Sequence, residues 1–344
     1  METPKVHHNY SLQSLTTFQV PVIATQFMEV NNLAELISAI QYAGDQPILI
    51  LGGGSNLLFT QDYSGIVIQL KSQGYSKEKF ETSSNLWKVT ADAGMNWDDL
   101  VERTVSEGFG GLENLSLIPG TVGASPIQNI GAYGVELKDT LLSVQVLNRK
   151  DFSIHSLSVE DCKFGYRDSI FKNSEKNKWV ILSVTFLLSQ ADNSYSVNTG
   201  YGNIQSALAN KNILNPTPKD IRDIVCEIRR SKLPDPKLIG NAGSFFKNPE
   251  VSEEIKNELI HQWPDLPVYL TANNNYKLAA GWLIEKAGWK GKWHGNARVH
   301  ELQALVLTNP GNATGKEIYA LALSIQKDIR DKFGVKLEME VNIL

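Results

Sequence analysis

Residues 118–134 read Ile-Pro-Gly-Thr-Val-Gly-Ala-Ser-Pro-Ile-Gln-Asn-Ile-Gly-Ala-Tyr-Gly, a run with glycines at 120, 123, 131 and 134, small and amide side chains, and no charge. Glycine admits positive φ and lets main-chain N–H groups come close to a ligand. Such a run suits a cofactor lying on backbone rather than one gripped by side chains. A second cluster, Gly52-Gly53-Gly54-Ser55-Asn56, follows the apolar run 47–51. Successive N–H groups in a turn of this kind form an anion-binding nest suited to a pyrophosphate. Either cluster alone reads equally well as a surface loop; together they predict a dinucleotide cofactor. A Rossmann fingerprint needs G-x-G-x-x-G between a strand and a helix. Here Ser-Asn-Leu-Leu-Phe follows Gly54 with no helix start after it, Gly108-Phe-Gly-Gly-Leu-Glu lacks the third glycine, and there is no P-loop. The predicted cofactor site is of another kind.

Other segments carry groups able to act on a substrate. Gly240-Asn-Ala-Gly-Ser-Phe-Phe-Lys-Asn-Pro249 places Ser244 and Asn248 among small residues. Phe246 stands where a nucleophile elbow, G-x-S-x-G, requires glycine, which leaves Ser244 as a proton donor or a turn serine. Phe164-Gly-Tyr-Arg-Asp-Ser-Ile-Phe171 offers Tyr166 and Arg167. The planar arginine fork binds carboxylates bidentately, so Arg167 is either a substrate anchor or a surface arginine paired with Asp168. In the tail 336–344, Leu337, Met339, Val341 and Ile343 alternate with Glu338 and Glu340, placing both glutamates on one face of a strand. His294 and His300 lack metal-ligand spacing, so no zinc is expected. Tyr201, Lys232, Tyr269 and Gln303 stand out by no pattern of their own.

These residues need scaffolding elements, and the periodicity supplies them. Leu33, Leu36, Ile37 and Ile40 predict a helix over 33–43, with Asn32 as cap and Gly44 as stop. Strands are expected at 47–51, 66–70, 86–91, 141–149, 152–157 and 179–188, with a polar patch at 71–85. Trp97, Leu100, Val101 and Val105 share one face of a helix over 97–107. Thr217-Pro218 opens a helix to about Ser231, which the prolines after Leu233 end. Helical patterns follow at 252–262 and 277–287, and Thr314-x-x-Glu317 is a capping box for a helix ending at Gly334. The 344 residues suffice for two or three domains. With 33 Lys and Arg against 37 Asp and Glu, the chain makes no electrostatic case for nucleic acid or anionic membrane. Cys162 and Cys226 form no pair motif and read as buried thiols of a reducing compartment. No signal-like segment and no apolar run long enough to span a bilayer is evident, so the expectation is a soluble cytoplasmic protein, and a monomer.

At these residues the sequence closely resembles the UDP-N-acetylenolpyruvoylglucosamine reductase (MurB) family of peptidoglycan synthesis. The resemblance runs in order through 52–57, 118–134, 164–171, 240–249, 277–284, His300 with Gln303, and 337–341. The segment Tyr201-Gly-Asn-Ile204 resembles the tyrosine loop of the family's longer, first type. The resemblance implies an α+β fold: a two-lobed FAD-binding domain of the vanillyl-alcohol-oxidase (PCMH) kind plus a C-terminal α+β substrate-binding domain. In linear terms these would be subdomains 1–72 and 73–231, the latter with the tyrosine-loop extension, a substrate domain 232–334, and a C-terminal strand 335–344. It implies non-covalent FAD, with no histidine in the glycine stretches to attach it, and NADPH as co-substrate. Cofactor contacts would come from Gly52, Gly53, Gly54, Ser55 and Asn56, and from Gly120, Gly123, Ser125, Ile127, Gln128, Asn129, Gly131, Ala132 and Tyr133. NADPH would reduce the flavin and leave, and the enolpyruvyl sugar nucleotide would take its place. Hydride would pass to C3 and a proton to C2, giving UDP-N-acetylmuramate. By the same resemblance Arg167 clamps the substrate carboxylate, Ser244 donates the proton, and Glu340, protonated or bridged by water, completes the site. Tyr166, Tyr201, Lys232, Asn248, Tyr269 and Gln303 would bind the substrate. Met339 differs from the proline found in some members. The competing expectations are an FAD-dependent oxidase of the same superfamily and a non-catalytic nucleotide-sugar sensor.

Overall fold

The computed structural model describes residues 4–81, 85–192, 195–271 and 273–344. Within them the chain gathers into two compact units that are not blocks of sequence. The first holds residues up to Tyr10, Ala24–Gly53 and Ser64–Ser231; the second holds Ser11–Ile23, Gly54–Tyr63 and Lys232–Leu344.

In the first unit, the helix Leu33–Ala43 forms where the apolar spacing places it. Asn32 caps it by accepting from the Glu35 N–H at 3.0 Å, and Gly44, at φ +54°, ends it. Its Leu36, Ala39 and Ile40 face packs with Met28, Ile66 and Ile68; each large aliphatic side chain so buried stabilises the fold by about 1.5–3 kcal/mol. Ile48–Leu51 pairs in parallel with Tyr63–Leu70, Ile48 opposite Ile66, in a four-stranded sheet with His7–Ser11 and Ile23–Val30.

A larger antiparallel sheet is built around Trp179–Gln190. Leu141–Asn148 lies on one side of that strand and Leu86–Asp92 on the other, with Ile154–Ser158 and Tyr75–Lys79 beyond them. The strand Tyr75–Lys79 falls inside the patch read as merely polar, of which residues 82–84 lie outside the described residues. It escaped the pattern because it is an edge strand whose residues 76–79 are all exposed, so no buried face imposes alternation. The helix Trp97–Ser106 buries Trp97, Leu100 and Val101, and Asn96 caps it through the N–H groups of Asp98 and Asp99. Trp97 meets Phe186 edge-on at 5.9 Å and donates its indole N–H to the Leu115 carbonyl at 2.9 Å, which fixes the chain just ahead of the glycine-rich stretch. A third cluster joins the helices Gly202–Asn210 and Pro218–Lys232 through Ile204, Leu208, Ile221, Ile224 and Val225, with Tyr133 and Val197 packed against it.

The second unit has a sheet ordered Gly240–Ser244, Val306–Asn309, Ala297–Val299, Trp293–His294, and a smaller one with Tyr276–Leu278 between Glu250–Val251 and Val268–Leu270. The long helix Gly315–Phe333 begins at the expected capping box of Thr314 and Glu317 and ends at Gly334 in the left-handed conformation. The early segments belong here because backbones touch. A Cβ on Gly240 would lie 2.3 Å from the Phe18 carbonyl oxygen, and one on Gly315 would lie 1.7 Å from that of Phe59.

Two expectations need correction. The helix expected over 277–287 begins only at Ala280, and Tyr276–Leu278 is instead a strand paired on both sides. The Asn248 side chain accepts from the Ala280 N–H at 3.0 Å and so marks the true start. The tail is also not one continuous strand. It bridges to Phe246 at Met339, bends at Val341, and pairs in parallel with Leu57–Leu58 only over Asn342–Ile343. Glu338 and Glu340 therefore differ in setting: Glu338 is exposed with the Lys247 ammonium 3.4 Å away, while Glu340 is half-buried.

Candidate active site

The two glycine clusters meet. A Cβ on Gly53 would lie 2.8 Å from the Gly120 Cα, and one on Gly52 would lie 2.5 Å from the Thr121 hydroxyl. Only glycine permits this approach, which closes the 52–53 turn onto the longer stretch within the first unit. Among the described residues the N–H groups of Gly53 and Gly54 donate no hydrogen bond inside the protein.

Beyond Gly120 the stretch forms a short 3-10 helix, Val122–Gln128, and then a tight hairpin of Gly131–Ala132 with Val135–Glu136. Its amide and hydroxyl side chains mostly face protein. Ser125 donates to the Val122 carbonyl at 2.6 Å. Asn129 is fully buried in the left-handed conformation; its NH2 reaches the Glu136 carboxylate at 3.0 Å and the Gly165 carbonyl at 3.1 Å, and its oxygen accepts from the Lys138 N–H. Gln128 accepts from the Lys172 ammonium at 3.2 Å. These side chains shape the loop.

Arg167 is brought to this stretch. Gly165 and Asp168 exchange backbone hydrogen bonds across Tyr166 and Arg167, a turn tight enough to put Arg167 at φ +54°. Non-glycine residues seldom take that conformation. The guanidinium donates to the Gly131 carbonyl at 2.5 Å and lies 3.5 Å from that of Asn129, while Ser169 donates to the Ile127 carbonyl at 2.6 Å and Lys172 to the Arg167 carbonyl at 3.4 Å. Asp168 accepts instead from the Ser169 N–H and the Asn173 amide.

In the second unit, the strand Gly240–Ser244 loses register between Asn241 and Ser244, with Gly243 at φ +67°, and this irregularity leaves Ser244 exposed. The next residue, Phe245, accepts from the Glu340 N–H at 2.8 Å, and the Asn56 amide donates to the Glu340 carbonyl at 3.2 Å. Ser244 and Glu340 thus sit on hydrogen-bonded neighbouring segments, with the end of the first glycine cluster tied to the same segment. The remaining candidates are dispersed: Tyr269 on the Val268–Leu270 strand is exposed, Gln303 accepts weakly from the Leu305 N–H at 3.4 Å, and Lys232 ends the Pro218–Lys232 helix. Burial pushes the His300 imidazole below its ordinary range. No group of three or more His, Cys, Asp or Glu among the described residues is placed to hold a metal, and no described helix is long and apolar enough to cross a membrane.

Residues 235–344 match the family described as UDP-N-acetylenolpyruvoylglucosamine reductase, C-terminal domain, and residues 24–158 match the FAD binding domain family. The chain is 46% identical over 340 residues to the UDP-N-acetylenolpyruvoylglucosamine reductase of Pseudomonas fluorescens, with 98% of each chain covered. It is 43% identical to the reductase of that name from Flavobacterium johnsoniae, covering 99% of this chain and 100% of the other. The chain belongs to the UDP-N-acetylenolpyruvoylglucosamine reductase family. Its fold is similar to the crystal structure of MurB from Thermus caldophilus, with a TM-score of 0.67 over 99% of both chains at 23% identity.

The structure adds residues that the family resemblance did not bring forward. Asp98 accepts from the Leu117 N–H at 2.6 Å and meets Arg222 through two contacts of 2.7 and 3.1 Å. Burial opposes charge on Asp98, but the Arg222 guanidinium and the Leu117 N–H outweigh it and hold the carboxyl below its usual range. Seven residues along the same helix, burial depresses the pKa of the Arg229 guanidinium, which the Tyr133 phenol opposes. Asn114, 2% exposed, reaches both the Tyr133 carbonyl of the glycine-rich stretch and the Asn198 carbonyl. The arginine spacing on one helix was a usable signal; the asparagine gave none.

Proposed function

We propose that the chain catalyses NADPH-dependent, FAD-mediated reduction of UDP-N-acetylglucosamine enolpyruvate to UDP-N-acetylmuramate. The observation that supports this most directly is the pairing of the Ser244 and Glu340 segments through the Phe245 carbonyl, in a chain of this family. Bound FAD would supply the redox chemistry, the passage of hydride from NADPH to C3 of the enolpyruvyl group. The backbone of Gly52–Gly54 and of the 118–134 stretch would hold it, a reading supported by the close approach of Gly53 to Gly120.

Hydride arrival at C3 leaves negative charge at C2, spread into the substrate carboxylate. Donors fixed in advance on developing charge are usually the largest contribution to catalysis. Arg167 supplies the opposing positive charge, its guanidinium held by the Gly131 carbonyl before substrate arrives. The Ser244 hydroxyl delivers the proton to C2, and its exposure on the irregular strand end leaves it accessible to do so. Glu340 completes the proton path beside it. Tyr166, Tyr201, Lys232, Asn248, Tyr269 and Gln303 bind and orient the nucleotide sugar.

The test is anaerobic absorbance of the flavin band as NADPH and then the enolpyruvyl nucleotide are added. The expected result is bleaching by NADPH and recovery on adding the nucleotide. Recovery only on admitting air would establish an oxidase, and absence of a flavin band after reconstitution with FAD would overturn the reading.

A further inference from the structure

Tyr201 is a solvent-facing tyrosine, 47% exposed, yet its loop is held by a chain of hydrogen bonds that starts at a buried amide. Asn114 lies in the short helix Glu113–Leu115 and is 2% exposed. Its side-chain NH2 has two hydrogens, and both are committed: one to the Tyr133 carbonyl at 3.1 Å, the other to the Asn198 carbonyl at 3.0 Å. Tyr133 closes the glycine-rich stretch at φ +51°, a conformation unfavourable for a bulky side chain. Asn198 reaches back with its own amide to the Gly134 carbonyl at 3.3 Å and accepts from the Gly200 N–H at 3.0 Å.

The other end of the loop is fixed as firmly. The Tyr195 ring rests on Gly110, where any Cβ would come within 2.3 Å of it. The Tyr195 hydroxyl donates to the Glu113 carboxylate at 2.7 Å, and the second oxygen of that carboxylate accepts from the Gly111 N–H at 2.6 Å. Residues 195–201 are thus fastened to 110–114 and to 133–134. The outcome is the Tyr201 ring edge-on to Tyr133, centroids 5.4 Å apart. One buried amide joins the strained end of the predicted cofactor stretch to the loop that presents the exposed tyrosine.

We propose that Asn114 is a positioning residue for the nucleotide-sugar substrate: it sets where Tyr201 stands relative to Tyr133 and so governs substrate affinity, with no contact of its own to the reacting atoms. The inference rests on the reaction proposed above and names a residue that reaction does not use. Asn114→Ser removes both donations. Asn198→Ala removes the strut to Gly134 and the acceptor of the Gly200 N–H, both from an exposed position outside the core.

The experiment measures steady-state constants, anaerobic flavin reduction by NADPH, and calorimetric binding of UDP-N-acetylmuramate. In Asn114→Ser, KM for the enolpyruvyl nucleotide and Kd for the product should rise about tenfold, while kcat and the NADPH half-reaction stay within about twofold. Asn198→Ala should show the same pattern at about threefold. In a Tyr201→Ala background Asn114→Ser should add nothing, since coupled residues are not additive. Unchanged KM and Kd in Asn198→Ala, an Asn114→Ser effect that multiplies with Tyr201→Ala, or equal damage to the NADPH half-reaction would each overturn the proposal. Absence of nucleotide-sugar turnover by the unaltered chain would overturn the underlying reaction with it; turnover that ignores both substitutions would overturn this assignment alone.

Discussion

Leu117 takes φ +56° directly before the glycine-rich stretch, and the Asp98 carboxylate holds its N–H. With Arg222 on its other side, Asp98 is a small charged clasp at the entrance to the predicted cofactor loop. Its carboxyl lies below the ordinary aspartate value of 3.8 in the folded chain. The stability it confers is therefore fully present above that value and is lost as pH falls through the lower, folded one. Asp98→Asn should destabilise the protein at neutral pH by about 1–3 kcal/mol, and the gap to the unaltered chain should narrow in melts taken below pH 3.8. A gap that stays constant into acid would show that the charge is not what matters. Arg167 makes a second residue-scale prediction. Lysine cannot reproduce the planar fork, so Arg167→Lys should slow flavin reoxidation by the enolpyruvyl nucleotide about 100-fold or more and leave reduction by NADPH nearly intact. Stopped-flow absorbance separates the two steps.

At the scale of elements, the legible features were local ones. Asn32, Thr314 with Glu317, and the Thr217-Pro218 pair announced their helices because a cap is written within four residues of the turn it closes. The central strands were legible because burial imposes a pattern. The edge strand Tyr75–Lys79 was not, and neither was the difference between Glu338 and Glu340, which depends on a bend at Val341 that alternation cannot encode. The glycine clusters were readable as loops, but not their contact, since the closeness of Gly53 to Gly120 is long-range. The roles of Asn114 and Asp98 were hidden for the same reason. The contact makes a prediction: Gly53→Ala must push the backbones apart, at a cost of about 1–3 kcal/mol, and should strip FAD during gel filtration where the unaltered chain keeps it. Retained flavin with an unshifted melting temperature would show that the loops can separate harmlessly.

At the scale of the molecule, both cysteines report on the first unit. Cys162 is buried, and burial pushes its thiol up to about 12; Cys226 is buried and raised as well. Neither forms thiolate readily, so labelling by a thiol reagent has to wait for the unit to open. Labelling should be slow in the native protein, and FAD should slow it further in proportion to its occupancy. Rapid labelling unaffected by FAD would mean that local motion exposes these sites.

The interleaving of the two units bears on how the protein is made. The chain passes from one unit to the other five times, and residues 11–23 and 54–63 belong with residues that follow Lys232. At ribosomal rates of 5–20 residues per second, 54–63 leave the ribosome roughly 10–30 s before their partners begin to appear. Throughout that interval Phe18 and Phe59, both destined for full burial, have no core to enter. Nascent chains halted before Lys232 should therefore hold a folded first unit beside two exposed apolar stretches, which makes those stretches the points where chaperones would engage. The C-terminal portion produced alone, lacking the backbone against which Gly240 and Gly315 close, should not fold at all.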